Sequence, residues 1–233
     1  MDNSVLTPSF PGRAGVRTAL SPVRCIFLNF FFALVCLGMG GTLFAQDFAE
    51  GLAFYHEKKY DKALAAFEKA ASEGNVVAQY NLGVMYEKGL GVKKDYAKAF
   101  EWYRQAADQG YAEAQNCLGV MYHKGVGVEE NTAKAYNWYC KAAEQELPQA
   151  QFNLGIMYVR GHGVKTSDQQ AFSWFEKSAE HGLADAQYAL GMMYLSGTGV
   201  RPNSYLAEQW FDKAAGQGHK LAQNRLRKLR KNR

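Results

Sequence analysis

The chain has little cysteine and no cluster of metal ligands. Of four cysteines in 233 residues, only Cys117 and Cys140 follow residue 45. The histidines (His56, His123, His162, His181, His219) never pair with cysteine or carboxylate at ligand spacing, so no metal site is expected. Ser-x-x-Lys is absent after residue 45, which removes one nucleophile motif. A Cys117–His123 nucleophile pair would lack an orienting group and an oxyanion hole. Excess positive charge is also missing from the body of the chain. Setting aside Arg13, Arg17 and Arg24 with Asp2, and the six cations of the last ten residues, leaves 18 basic and 21 acidic residues between 46 and 223, a net of −3. That balance argues against nucleic acid as a partner. The Gly-x-Gly sequences lack the strand and further glycines of a phosphate loop. No cofactor is expected.

What is present is a repeat. Ala-Gln returns at Ala78-Gln79, Ala114-Gln115, Ala150-Gln151, Ala186-Gln187 and Ala222-Gln223, every 36 residues. A fixed period of this length specifies a solenoid whose units pack on their neighbours. With each Ala as position 1, position 5 is Leu, position 6 Gly and position 9 Tyr in all four full copies. Apolar residues at 1, 5, 8 and 9 follow helical spacing and define helix A. Glycine at position 6 costs about 1 kcal/mol in helix propensity. Its return in every copy predicts a helix–helix approach too close for a Cβ.

A Gly-x-Gly-Val turn follows at Gly89, Gly125, Gly161 and Gly197. Position 18 is Asp95, Asn131, Ser167 or Asn203, all good N-cap residues, so helix B starts there. Its inner stripe is expected to be Ala at 22, Trp at 25 (Trp102, Trp138, Trp174, Trp210) and Tyr or Phe at 26. Gly at 33 closes helix B except at Glu146, where a locally different turn is expected.

Residues 1–45 read as a secretory signal. Arginines precede the apolar run from Cys25 to Gly38, small residues follow it, and cleavage is expected after Ala45. The mature chain would be periplasmic or secreted, without stable membrane insertion. The alternative is that the run stays as an uncleaved anchor.

The motif Ala-Gln-x-x-Leu-Gly-x-Met-Tyr-x-x-Gly-x-Gly-Val, followed by Lys-Ala-x-x-Trp-Tyr-x-Lys-Ala-Ala-x-x-Gly, resembles the Sel1-like repeat, a relative of the tetratricopeptide repeat. The resemblance implies an all-α, right-handed solenoid of helix-turn-helix units. Residues 46–77 lack the Gly-x-Gly loop and resemble a tetratricopeptide capping hairpin. Full repeats are expected at 78–113, 114–149, 150–185 and 186–221, with a basic cap at 222–233 that solvates the end or touches anionic lipid or peptidoglycan.

In tetratricopeptide-like folds helix A lines the concave face. Tyr80, Asn116, Phe152 and Tyr188 at position 3, with Lys88, Lys124 and Arg160 at position 11, are therefore the candidate partner-binding residues. The resemblance implies a non-enzymatic scaffold for a protein or peptide. The Helicobacter cysteine-rich proteins share the repeat, and two alternatives follow: a peptidoglycan- or β-lactam-binding protein with weak β-lactamase-like activity, or a membrane-tethered envelope organiser. Their regular cysteine pairs are not reproduced here. Cys117 and Cys140 nevertheless sit where antiparallel helices bring a disulfide within reach.

Overall fold

A computed structural model describes residues 42–231. They form α1 (Thr42–His56), α2 (Tyr60–Ser72), α3 (Val76–Lys88), α4 (Tyr96–Asp108), α5 (Ala112–Lys124), α6 (Thr132–Glu144), α7 (Pro148–Arg160), α8 (Asp168–Glu180), α9 (Ala184–Ser196), α10 (Ser204–Gly216) and α11 (Lys220–Lys231). There is no strand among the described residues. The fold is the all-α solenoid that the period specifies. The helices fall into two compact units dividing between Glu130 and Asn131.

Most of the expected signal lies outside the described residues. Where α1 is described, its anchors follow Ala45. Lys69 Nζ donates to Asp47 Oδ1 at 2.9 Å, and the rings of Phe48 and Phe67 lie 5.9 Å apart. Cleavage after Ala45 would leave both contacts in place.

Helix B begins where the caps predict. Asp95, Asn131, Ser167 and Asn203 accept the backbone N–H of Lys98, Lys134, Gln170 and Leu206 at 3.0, 2.9, 3.3 and 3.0 Å. Helix A ends on left-handed Gly89, Gly125, Gly161 or Gly197.

The glycine at position 6 has an identified neighbour, the ring at position 26 of its own hairpin. A Cβ would stand 2.5 Å from Tyr103 at Gly83, 2.4 Å from Phe175 at Gly155 and 2.7 Å from Phe211 at Gly191. Gly51 meets Phe67 in the same way at 2.7 Å. The glycine thus admits a buried ring between antiparallel helices.

The second glycine of each turn reaches further. A Cβ on Gly91, Gly127, Gly163 or Gly199 would fall 2.3–2.7 Å from the backbone of Tyr60, Tyr96, Thr132 or Asp168. Those four residues open helix B of the preceding repeat. The turn is therefore an inter-repeat contact as well as a helix stop.

The turn at Glu146 does not differ as expected. Its N–H and that of Leu147 reach Ala143 O and Ala142 O, as Gly110 and Tyr111 reach Ala107 O and Ala106 O. Glu146 instead adopts the left-handed conformation itself, at φ +62°. Left-handed backbone costs a non-glycine residue roughly 1–2 kcal/mol. Glu146→Gly is therefore expected to stabilise the chain by about 1 kcal/mol, offset in part by glycine's unfolded-state entropy. Urea unfolding checks this, and an unchanged or lowered midpoint would contradict it.

Candidate functional site

The recurring Gln at position 2 ties repeats together. Its Nε2 donates to a carbonyl near the end of the preceding helix B: Gln79 to Ala71 (3.4 Å), Gln115 to Ala107 (3.2 Å), Gln187 to Ala179 (3.2 Å) and Gln223 to Ala215 (3.3 Å). Its Oε1 accepts from the end of its own helix B, from Gln109 to Gln79 (2.7 Å) and from Gln217 to Gln187 (2.9 Å). Gln79, Gln115, Gln151 and Gln187 are buried. A buried amide satisfied on both sides is costly to replace. Spacing alone gave no sign of this role, since the partners lie 8 and 30 residues away.

The position-3 row is mostly packing. Phe152 is 0% exposed, with its ring 5.4 Å from that of Phe175. It is a core residue and offers no surface to a partner, which corrects its place among the groove anchors. Tyr80 is half-buried against Tyr103 and Tyr111 at 5.7 and 5.2 Å. Tyr188 is half-buried between Phe211 (5.6 Å) and His219, which stacks on it at 4.8 Å. Asn116 is half-buried. Val84, Ile156 and Met192 at position 7 are buried.

At position 11 the side chains meet water. Lys88 and Lys124 are exposed and Arg160 is partly exposed. One residue earlier, at position 10, Glu87 Oε2 accepts the hydroxyl of Tyr103 at 2.6 Å. Burial, with Cys117 and Glu87 nearby, holds that hydroxyl in its protonated form well above the usual tyrosine range. The accessible chemistry of helix A is therefore cationic rather than apolar.

Cys117 and His123 lie six residues apart on α5, about 9 Å along the axis. Cys117 and Cys140 are both half-buried. Burial raises the Cys140 thiol pKa, which disfavours the reactive thiolate. Among the described residues no group of three or more His, Cys, Asp or Glu could hold a metal.

The tryptophans are less internal than expected. Trp102, Trp138, Trp174 and Trp210 are half-buried. Lys141, Lys177 and Lys213 cover three of their rings at 4.0, 4.4 and 3.8 Å from the centroid. The legible signal was Trp-x-x-Lys, which places both side chains on one helix face.

The profile of the Sel1 repeat matches residues 45–75, 76–111, 112–147, 148–183 and 184–219. The chain belongs to the Sel1 repeat family. Four matches begin two residues before Ala78, Ala114, Ala150 and Ala186, and the first takes residues 45–75 as a fifth repeat. Among solved structures, this Sel1 chain is similar to c5321, a protective antigen of uropathogenic Escherichia coli with an SLR fold. The identity is 37% and the TM-score 0.75, over 78% of this chain and 40% of c5321. It is likewise similar to a Sel1 repeat protein of Oxalobacter formigenes, at 37% identity and TM-score 0.72, over 77% of this chain and 72% of that one. It is 39% identical over 71 residues to HcpC of Helicobacter pylori, provisionally named a beta-lactamase. That match covers 28% of this chain and 24% of HcpC. The chain thus spans about a quarter of HcpC and 40% of c5321.

Sel1 repeat proteins are generally protein-interaction scaffolds, and the solenoid is typically non-enzymatic. Among the described residues no helix is long and apolar enough to cross a membrane.

Proposed function

We propose that the chain is an exported adaptor that holds a protein or peptide partner on the helix A face of its Sel1 repeats. One observation carries this reading. The apolar residues of helix A are used internally, while position 11 keeps Lys88, Lys124 and Arg160 toward solvent in the same register. Exposed cations on helix A suit a partner bearing carboxylates: Lys88 and Lys124 in the unit ending at Glu130, where Tyr80 and Asn116 are half-buried, and Arg160 in the unit starting at Asn131, where Tyr188 is half-buried. The apolar, aromatic groove expected from sequence is replaced in this proposal by a polar one. Export is part of the same proposal and rests on the apolar run before residue 45.

The test is a capture from envelope and culture-fluid extracts with two baits, the native chain and Lys88→Glu, Lys124→Glu, Arg160→Glu. Circular dichroism should show both baits equally helical. A partner held by the native chain is expected to fall on the order of tenfold or more with the variant. Equal capture by both would remove the helix A face from the function.

A further inference from the structure

We propose that the exposed side of α11 is an electrostatic docking face for anionic lipid bilayers. The helix holds Lys220, Arg225, Arg227, Lys228, Arg230 and Lys231 and no acidic residue. At 100° per residue these side chains sort onto distinct faces. Ala222 and Leu226 are buried against α10, with Leu229 beside them. Opposite that seam stand Lys220, Arg227, Lys228 and Lys231, all exposed.

The helix is pinned at both ends, so this face is held rigidly. At the N-terminus the backbone N–H of Ala222 donates to His219 Nδ1 at 3.2 Å, which places the ring proton on Nε2. Nε2 in turn donates to Asp185 Oδ1 at 3.1 Å, and both side chains are buried. At the C-terminus the Arg230 guanidinium reaches Glu208 at 3.1 Å and both oxygens of Asp212 at 2.8 Å. Those carboxylates are thereby engaged at the rim and leave the outer cations without an opposing charge on α11 itself. On α10, which α11 packs against, Tyr205 in the first turn is the exposed large hydrophobic residue among those described, at 65%. Clustered cations and an exposed tyrosine both suit the headgroup level of a bilayer.

The geometry favours a membrane over a nucleic acid. A duplex is gripped by charges that track its backbone, and residues 46–223 carry a net charge of −3. A flat anionic surface needs only one basic face at the edge of the molecule. The apolar side of α11 is already occupied, so the attachment is adsorption without insertion. It must therefore be sensitive to salt.

The test uses the full chain with vesicles of phosphatidylglycerol and phosphatidylcholine, against phosphatidylcholine alone. Acylation of individual lysines is read by mass spectrometry. Lys220, Lys228 and Lys231 are expected to lose reactivity several-fold on anionic vesicles at low salt, and to regain it at about 0.5 M salt. Lys88 and Lys165 are expected to be unchanged. This readout is local, so binding through the apolar run before residue 45 leaves it unaffected. A second chain carries Lys220→Gln, Arg227→Gln, Lys228→Gln and Lys231→Gln. Each surface cation contributes roughly fivefold in partitioning, so this chain should lose on the order of a hundredfold or more of its anionic preference. Undiminished reactivity of the three lysines on anionic vesicles would overturn the proposal, as would an undiminished preference in the glutamine variant. Protection by duplex DNA but not by vesicles would overturn it in favour of a soluble polyanion.

Discussion

Replacing Gly199 with Ala is expected to destabilise the chain by about 3 kcal/mol, the largest effect of any single methyl group considered. Two causes add. Gly199 stands at φ +70°, where an L side chain is strained by roughly 1–2 kcal/mol. Its new Cβ would also lie 2.3 Å from the carbonyl oxygen of Asp168. That oxygen belongs to helix backbone, so it cannot rotate away as a side chain would. Either the turn or the start of α8 must move, at a further cost on the order of 1–3 kcal/mol. Gly182 is the internal control. It has φ +88° with nothing within 4 Å of a built Cβ. Gly182→Ala should therefore cost only the conformational part, on the order of 1 kcal/mol. Urea unfolding of both variants separates the two causes. Equal losses would mean that the second glycine of the turn serves its own backbone alone, with no role between repeats.

Gly155→Ala is expected to destabilise by about 1–2 kcal/mol, although alanine is the better helix former. Propensity favours the substitution by roughly 1 kcal/mol. Against it, the new Cβ would lie 2.4, 2.6 and 3.0 Å from three atoms of the Phe175 ring. Phe175 is 0% exposed, and the ring of Phe152 lies 5.4 Å away. Overpacking of a closed core costs typically 1–3 kcal/mol, and here the ring has no open side toward which to shift. The same substitution on the surface of a helix would raise stability, so the sign alone distinguishes the packed slot from an ordinary helical glycine.

How much of this was legible depended on where each partner lies. The four helix B caps were readable because an N-cap acts within its own turn: Asp95 needs only Lys98, three residues on. The close approach at position 6 was readable because an unfavourable residue recurred in a helix. The ring that fills the slot was not readable, since Tyr103 lies 20 residues from Gly83 and depends on how the hairpin closes. The same limit hid the buried Gln ties and the contact of Gly199 with Asp168, which cross from one repeat to the next. Phe152 was misjudged for a chemical reason. It occupies the position of Tyr80 and Tyr188 and, like them, tilts its ring against the position-26 ring of its own helix B. Tyr188 carries a hydroxyl that meets Arg225, whereas Phe152 has none and lies wholly inside. The aromatic row therefore looked like a surface in the sequence, while the cations at position 11 hold the exposed places.

The central claim is that the residues returning every 36 positions are packing partners, which leaves recognition to the side chains that stay in water. A double-mutant cycle over Gly155→Ala and Phe175→Leu tests it most directly, by urea unfolding of the native chain, both single variants and the double variant. Phe175→Leu alone should lose stability by removing buried ring atoms. In its presence the new methyl at position 155 has room, so the loss from Gly155→Ala should shrink or reverse, with a coupling of about 1–3 kcal/mol. Additive losses, with no coupling between the two sites, would contradict the claim that this glycine exists to admit that ring.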